Sequence, residues 1–139
     1  MIGIVVASHG QLAAELVATA KQIMGDFAQV TTCSVVPGSS SEELRADLRH
    51  AIESVNEADG VVVFADLIGG SPCMQSLSLC SDPTLEVVTG VNLPMLLKAV
   101  SLRATPGISV QELALRLAEY GQRNITCATA TLRARVSAA

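Results

Sequence analysis

The chain has 139 residues, half of them apolar, with 2% aromatics and a formal net charge of −4. That length holds one domain with a real core and is too short for two of ordinary size, while the acidic balance leaves no basic face for nucleic acid. Trp is absent, so the core has to be packed with Val, Leu, Ile, Ala and Met, which suits a helix-covered parallel sheet better than an aromatic-rich sandwich.

Residues 2–7, IGIVVA, are apolar without alternation and predict a strand covered on both faces. The period then changes. Leu12, Leu16, Val17, Ala20, Ile23 and Met24 recur at helical spacing, with Gly25 as the stop. A second strand is expected in QVTTCSVVPG, closed by Pro37-Gly38. Ser40 stands three residues before Glu43, a capping-box pattern that opens a charged amphipathic helix ending before Gly60. His50 lies on that helix and reads as a solvated surface residue.

GVVVFAD is the clearest buried-strand signature and delivers Asp66 at its C-terminal end, before the turn-forming LIGGSP. A short helix is expected over 72–81, with Pro72 in its first turn. TLEVVTG predicts a fourth strand, Pro94 opens the next helix, and Ser109 with Glu112 caps another that runs through Tyr120. The tail NITCATATLRARV, rich in Thr, Ile and Val, reads as a late strand. Alternating strands and helices predict an α/β domain: an open, mainly parallel sheet of order 2-1-3-4 with helices on both faces.

Four cysteines, Cys33, Cys73, Cys80 and Cys127, form no C-x-x-C pair and no zinc spacing. They read as small core or near-surface residues of a reducing compartment, and no metal is expected. No apolar run approaches the roughly 20 residues of a membrane span, and no basic region precedes the short N-terminal one. The expected location is the cytoplasm.

In an open parallel sheet the ligand site lies beyond the C-terminal strand ends, at the topological switch point. With order 2-1-3-4, His9 after the first strand and Asp66 after the third meet there. Each has a plainer role available, as a histidine bonding its own loop and a carboxylate capping a turn. Together they can do more: an imidazole can attack phosphorus with one nitrogen while a carboxylate holds the other N–H and fixes the tautomer. Gly69 and Gly70 allow close backbone approach, and Ser71 offers a hydroxyl. Ser71, His9 and Asp66 also raise a hydrolase reading, although the G-x-S-x-G elbow is missing. Neither a P-loop nor a dinucleotide fingerprint is present, so no nucleotide or other cofactor is expected.

Four segments in this order, IVVASHGQLA, VVPGSSSEEL, GVVVFADLIGGSP and EVVTGVNLPMLLKAV, carry a resemblance that covers nearly the whole chain. The sequence resembles the IIA component of the mannose family of the bacterial phosphoenolpyruvate-dependent sugar phosphotransferase system. The resemblance implies a phosphohistidine carrier with His9 as acceptor, Asp66 in support and Ser71 near the phosphoryl group. It implies a histidine-containing phosphocarrier protein as donor, a IIB component as receiver, and an indirect link to membrane IIC and IID subunits. It further implies a homodimer in which the tail, 122–136 of a single 1–139 domain, is an exchanged antiparallel edge strand. Two departures stand out: Cys73-Met74 replaces the Phe-Asn frequent after Gly-Gly-Ser-Pro, and the chain stops at Ala139 without a fused IIB domain, so a separate IIB chain is expected. A regulatory phosphocarrier and a phosphoryl donor linked to dihydroxyacetone phosphorylation stay open as alternatives.

Overall fold

A computed structural model describes residues 1–138. Its four strands, β1 (Gly3–His9), β2 (Val30–Val35), β3 (Val61–Ala65) and β4 (Leu85–Thr89), form one sheet of order β2-β1-β3-β4. All three pairings are parallel. The helices are α1 (Leu12–Met24), α2 (Ser41–Val55), α3 (Ser71–Leu77), α4 (Leu93–Leu102), α5 (Val110–Arg123) and α6 (Ala128–Ala138).

The unbroken apolar runs of β1 and β3 follow from cover on both faces. Ile4, Val6, Val62, Phe64 and Val88 pack with Ala13 and Val17 of α1, Leu96 and Ala99 of α4, and Leu113 and Leu117 of α5. Their alternates Val5, Ala7, Val61 and Val63 pack with Leu44, Leu48, Ala51 and Val55 of α2. Since side chains alternate across a strand, each half of an apolar run fills a different layer. Gly3 sits where α2 approaches β1 so closely that any Cβ would collide with the carbonyl of Val55.

Helix starts follow their side chains. Ser40 Oγ accepts from the Glu43 N–H at 3.1 Å and Glu43 Oε2 accepts from the Ser40 N–H at 3.2 Å, completing the predicted box. Ser109 Oγ accepts from the Glu112 N–H at 3.1 Å. At α4 the cap is Asn92, which sequence reading passed over: its Oδ1 accepts from the Met95 N–H while its Nδ2 donates to the Gly121 carbonyl, each at 3.0 Å. One residue thus starts α4 and ties it to α5.

Two expectations need correction. The tail is not an antiparallel edge strand: all strands of the sheet are parallel, and residues 128–138 form α6. Ala128, Ala130, Ala134, Leu132, Arg133 and Arg135 favour helix, and the period-2 pattern of Ile125, Cys127 and Thr129 is too short to prevail. The helix expected over 72–81 begins at Ser71 and ends at Leu77, so Cys73 lies in it and Cys80 in the turns that follow.

Arg103 belongs to no motif of the sequence, yet its side chain is buried. Its guanidinium donates to the carbonyls of Ile2 at 3.1 Å, Gln29 at 3.2 Å and Ala28 at 2.5 Å, joining the end of α4 to the N-terminal ends of β1 and β2. Arg103→Met keeps an apolar stem and removes three donated hydrogen bonds, although the Gln29 carbonyl still accepts from the Ile4 N–H at 3.0 Å. Urea unfolding is expected to show a loss of about 2–4 kcal/mol, since hydrogen bonds from charged groups are the stronger kind. A midpoint equal to wild type would show that water replaces the guanidinium without cost.

Candidate active site

The register Ala7↔Ala65 sets β1 and β3 side by side, so the residues that follow emerge together at the C-terminal edge of the sheet. His9 ends β1 with its side chain 49% exposed, and Asp66 follows β3 with its side chain only 8% exposed. Nδ1 of His9 lies 2.8 Å from Oδ2 of Asp66. The same Oδ2 accepts from the His9 backbone N–H at 2.9 Å, and Oδ1 accepts from the Leu67 N–H at 3.0 Å. A carboxylate flanked by donors can only accept, so the ring proton belongs on Nδ1 and Nε2 keeps its lone pair.

Burial by itself would raise the Asp66 pKa. The hydrogen bonds from the His9 backbone and imidazole and from Leu67 outweigh it and hold the carboxyl below its ordinary value of 3.8. The carboxylate stays charged and oriented.

Ser8, polar in an otherwise apolar strand, is fully buried, and its Oγ accepts from the Ala13 N–H at 2.7 Å. It supplies the side-chain bond that Gln11, at the N-cap of α1, does not. A serine inside a buried run was the available sequence signal. Gly10, at φ 55, makes the turn between them.

Ser71 is the exposed first residue of α3, directly after Gly70 at the N-cap. Among the described residues no hydrogen bond joins it to His9 or Asp66, so the Ser-His link of a hydrolase triad is not formed. His50 is exposed on α2, as expected. The described residues include no group of three or more His, Cys, Asp or Glu that could hold a metal, and none of their helices is long and apolar enough to cross a membrane.

The end of the sheet that carries His9 is also apolar. Leu12 begins α1, Val36 follows β2, Leu67 and Ile68 follow β3, and Met74 lies in α3; all are exposed, Ile68 by 79%. A cavity of about 220 Å³ lies at the opposite end, against the first residues of β3 and β4, and is lined by Arg49, Ile52, Asp82 and Leu85 among others. Neither His9 nor Asp66 lines it.

An accessible imidazole backed by a buried carboxylate thus stands among exposed apolar side chains at the open end of the sheet. Residues 3–116 match the EIIA-man family model, described as the PTS system fructose IIA component. The chain belongs to this family, the IIA phosphocarrier components of the sugar phosphotransferase system. It is 30% identical over 125 residues to the mannose-specific EIIAB component of Escherichia coli (strain K12), a match covering 89% of this chain and 38% of that protein. It is 27% identical over 104 residues to the fructose-specific EIIA component of Bacillus subtilis (strain 168), covering 74% of this chain and 71% of that one. The chain thus spans little more than a third of the Escherichia coli relative's length. Among solved structures, a phosphotransferase system component EIIA from Streptococcus agalactiae superposes with a TM-score of 0.85 at 26% identity, covering 94% and 99% of the two chains. A mannose/sorbose-specific IIA subunit from Enterococcus faecalis gives 0.79 at 30% identity, covering 91% and 93%.

Proposed function

We propose that this IIA component carries its phosphoryl group on Nε2 of His9, with Asp66 as the orienting carboxylate. The observation that carries the reading is the 2.8 Å contact between Nδ1 and a buried carboxylate on a ring that is half exposed. The Nε2 lone pair attacks the phosphorus of a donor phosphohistidine in line, and the donor's P–N bond breaks with its electron pair returning to the donor ring. The proton on Nδ1 stays in place. Positive charge that develops on the His9 ring is offset by Asp66, and the same steps in reverse deliver the group onward. Over-stabilising the phosphorylated ring would slow that delivery. Ser71 follows Gly70, the ring's neighbour, and its exposed hydroxyl supports a role in receiving a phosphoryl oxygen.

The partners that fit are a histidine-containing phosphocarrier protein as donor and a IIB component as receiver, working in the cytoplasm and linked through IIB to membrane IIC and IID subunits. Leu12, Val36, Leu67, Ile68 and Met74 supply a modest apolar rim suited to transient docking. Incubation with phosphoenolpyruvate, the first enzyme of the system and the histidine-containing carrier, followed by mass spectrometry under alkaline conditions, tests the assignment. One phosphoryl group on His9 is expected. Label on His50 or Ser71 would sink it.

The tail is proposed to contact a second copy of the chain as a helix. Helix α6 has 11 residues and no buried side chain, with Ile125, Leu132 and Val136 all exposed; isolated helices shorter than about 12–15 residues are marginal in water. Because α5 continues to Arg123, the informative truncation ends at Asn124. Sedimentation equilibrium should give a full-length dimer and a truncated monomer. A full-length monomer, or a truncated chain that stays a tight dimer, would remove the tail from the interface.

A further inference from the structure

Two adjacent glycines precede Ser71, and they are glycine for different reasons. Gly69 has φ 80, a left-handed backbone, and a Cβ there would meet nothing within 4 Å. Gly70 has φ −71 and ψ 163, an extended conformation open to any residue. Its constraint is space. A Cβ on Gly70 would stand 3.0 Å from Cε1 of His9 and 3.4 Å from Cγ of Leu67, and the first of these is shorter than an ordinary carbon–carbon contact.

We propose that Gly70 is a positioning residue for His9: the bare α-carbon at the N-cap of α3 is the surface against which the Cε1 edge of the imidazole rests while Asp66 holds Nδ1. The ring is then bounded on two adjacent edges. Cε1 lies between the two ring nitrogens, so a contact there controls both the Nδ1–Asp66 distance and the direction of the Nε2 lone pair. The contact that has to yield is the one with Cε1, since 3.4 Å to Cγ of Leu67 borders on ordinary contact, and the half-exposed ring is free to swing towards solvent. That motion lengthens the 2.8 Å bond and releases the tautomer. The role rests on the reading of His9 as phosphoryl acceptor, but the contact itself does not.

Gly70→Ala and Gly70→Ser add the same Cβ without backbone strain. With nitrogen-15 in the histidine ring, two-bond couplings to the ring carbon-bound protons report the tautomer at a pH where the imidazole is neutral, and the backbone amide spectrum reports the fold. Wild type is expected to show the Nδ1–H form, and both variants a clear rise in the Nε2–H form. Phosphoryl transfer should slow by about 3- to 10-fold, scaled from the roughly 100-fold cost of a 1 Å misplacement. In an Asp66→Asn background the same substitution should cost less than about twofold, since the charged bond it disturbs has already been lost. Wild-type tautomer ratios in both variants, or rate losses that multiply fully with that of Asp66→Asn, would overturn the proposal. A shifted tautomer with normal transfer would uphold the contact but overturn Gly70 as a positioning residue for transfer, while the acceptor itself is decided separately by where the label maps.

Discussion

His9→Ala is expected to abolish phosphoryl incorporation, lowering it by about 10,000-fold or more, because a displaced nucleophile leaves no second route in a reaction that proceeds through it. The fold should persist. The side chain is half exposed and its one hydrogen-bond partner among the described residues is Asp66, whose carboxylate keeps the backbone donors of His9 and Leu67, so stability should fall by no more than about 1.5 kcal/mol. His50→Gln, on exposed α2, is the matching control and should incorporate normally. Measuring radiolabel transferred from phosphoenolpyruvate through the donor chain decides the matter: incorporation by His9→Ala at a comparable rate would move the acceptor elsewhere.

Asp66→Asn should slow transfer by roughly 10- to 10,000-fold, a range whose upper end is the loss seen when an orienting carboxylate is amidated in a catalytic triad. Its single oxygen can serve either the His9 edge or the Leu67 N–H, and the amide nitrogen then faces a donor. The effect has a pH signature. The folded-state pKa lies below 3.8, so the carboxylate's contribution to stability is complete above the unfolded value and is lost as the pH falls through the folded one. Wild type should therefore melt above Asp66→Asn near neutrality, and the gap between them should close below about pH 4. Transfer at the normal rate by Asp66→Asn, with a gap in melting temperature that ignores pH, would make the carboxylate incidental.

Much of this site was legible because it depends on order along the chain. A histidine after the first strand and an aspartate after the third become neighbours once the sheet runs 2-1-3-4, the order expected and found. The capping signals at Ser40 and Ser109 were equally readable, since each involves residues three apart. What escaped notice lies between residues distant in sequence. Arg103 meets Ile2 across 101 positions and Asn92 meets Gly121 across 29, and Gly70 meets the imidazole through a packing distance that no local pattern encodes. The tail failed for another reason: a brief alternation competed with alanines whose helical preference extends over the whole segment.

By itself the sequence determined the parallel four-stranded part of the sheet and which side chains stand at its carboxyl edge, because periodicity, capping and chain order are local quantities, but it added a fifth, antiparallel strand that the tail does not form. Only the tertiary structure decided that Asp66 is buried and accepts three hydrogen bonds while His9 reaches solvent, that Gly70 is bare to make room for the ring, and that the last eleven residues described form a helix. Those outcomes turn on distances of a few tenths of an ångström and on which surfaces are left uncovered. Both are set when separate elements pack, after local preference has had its say.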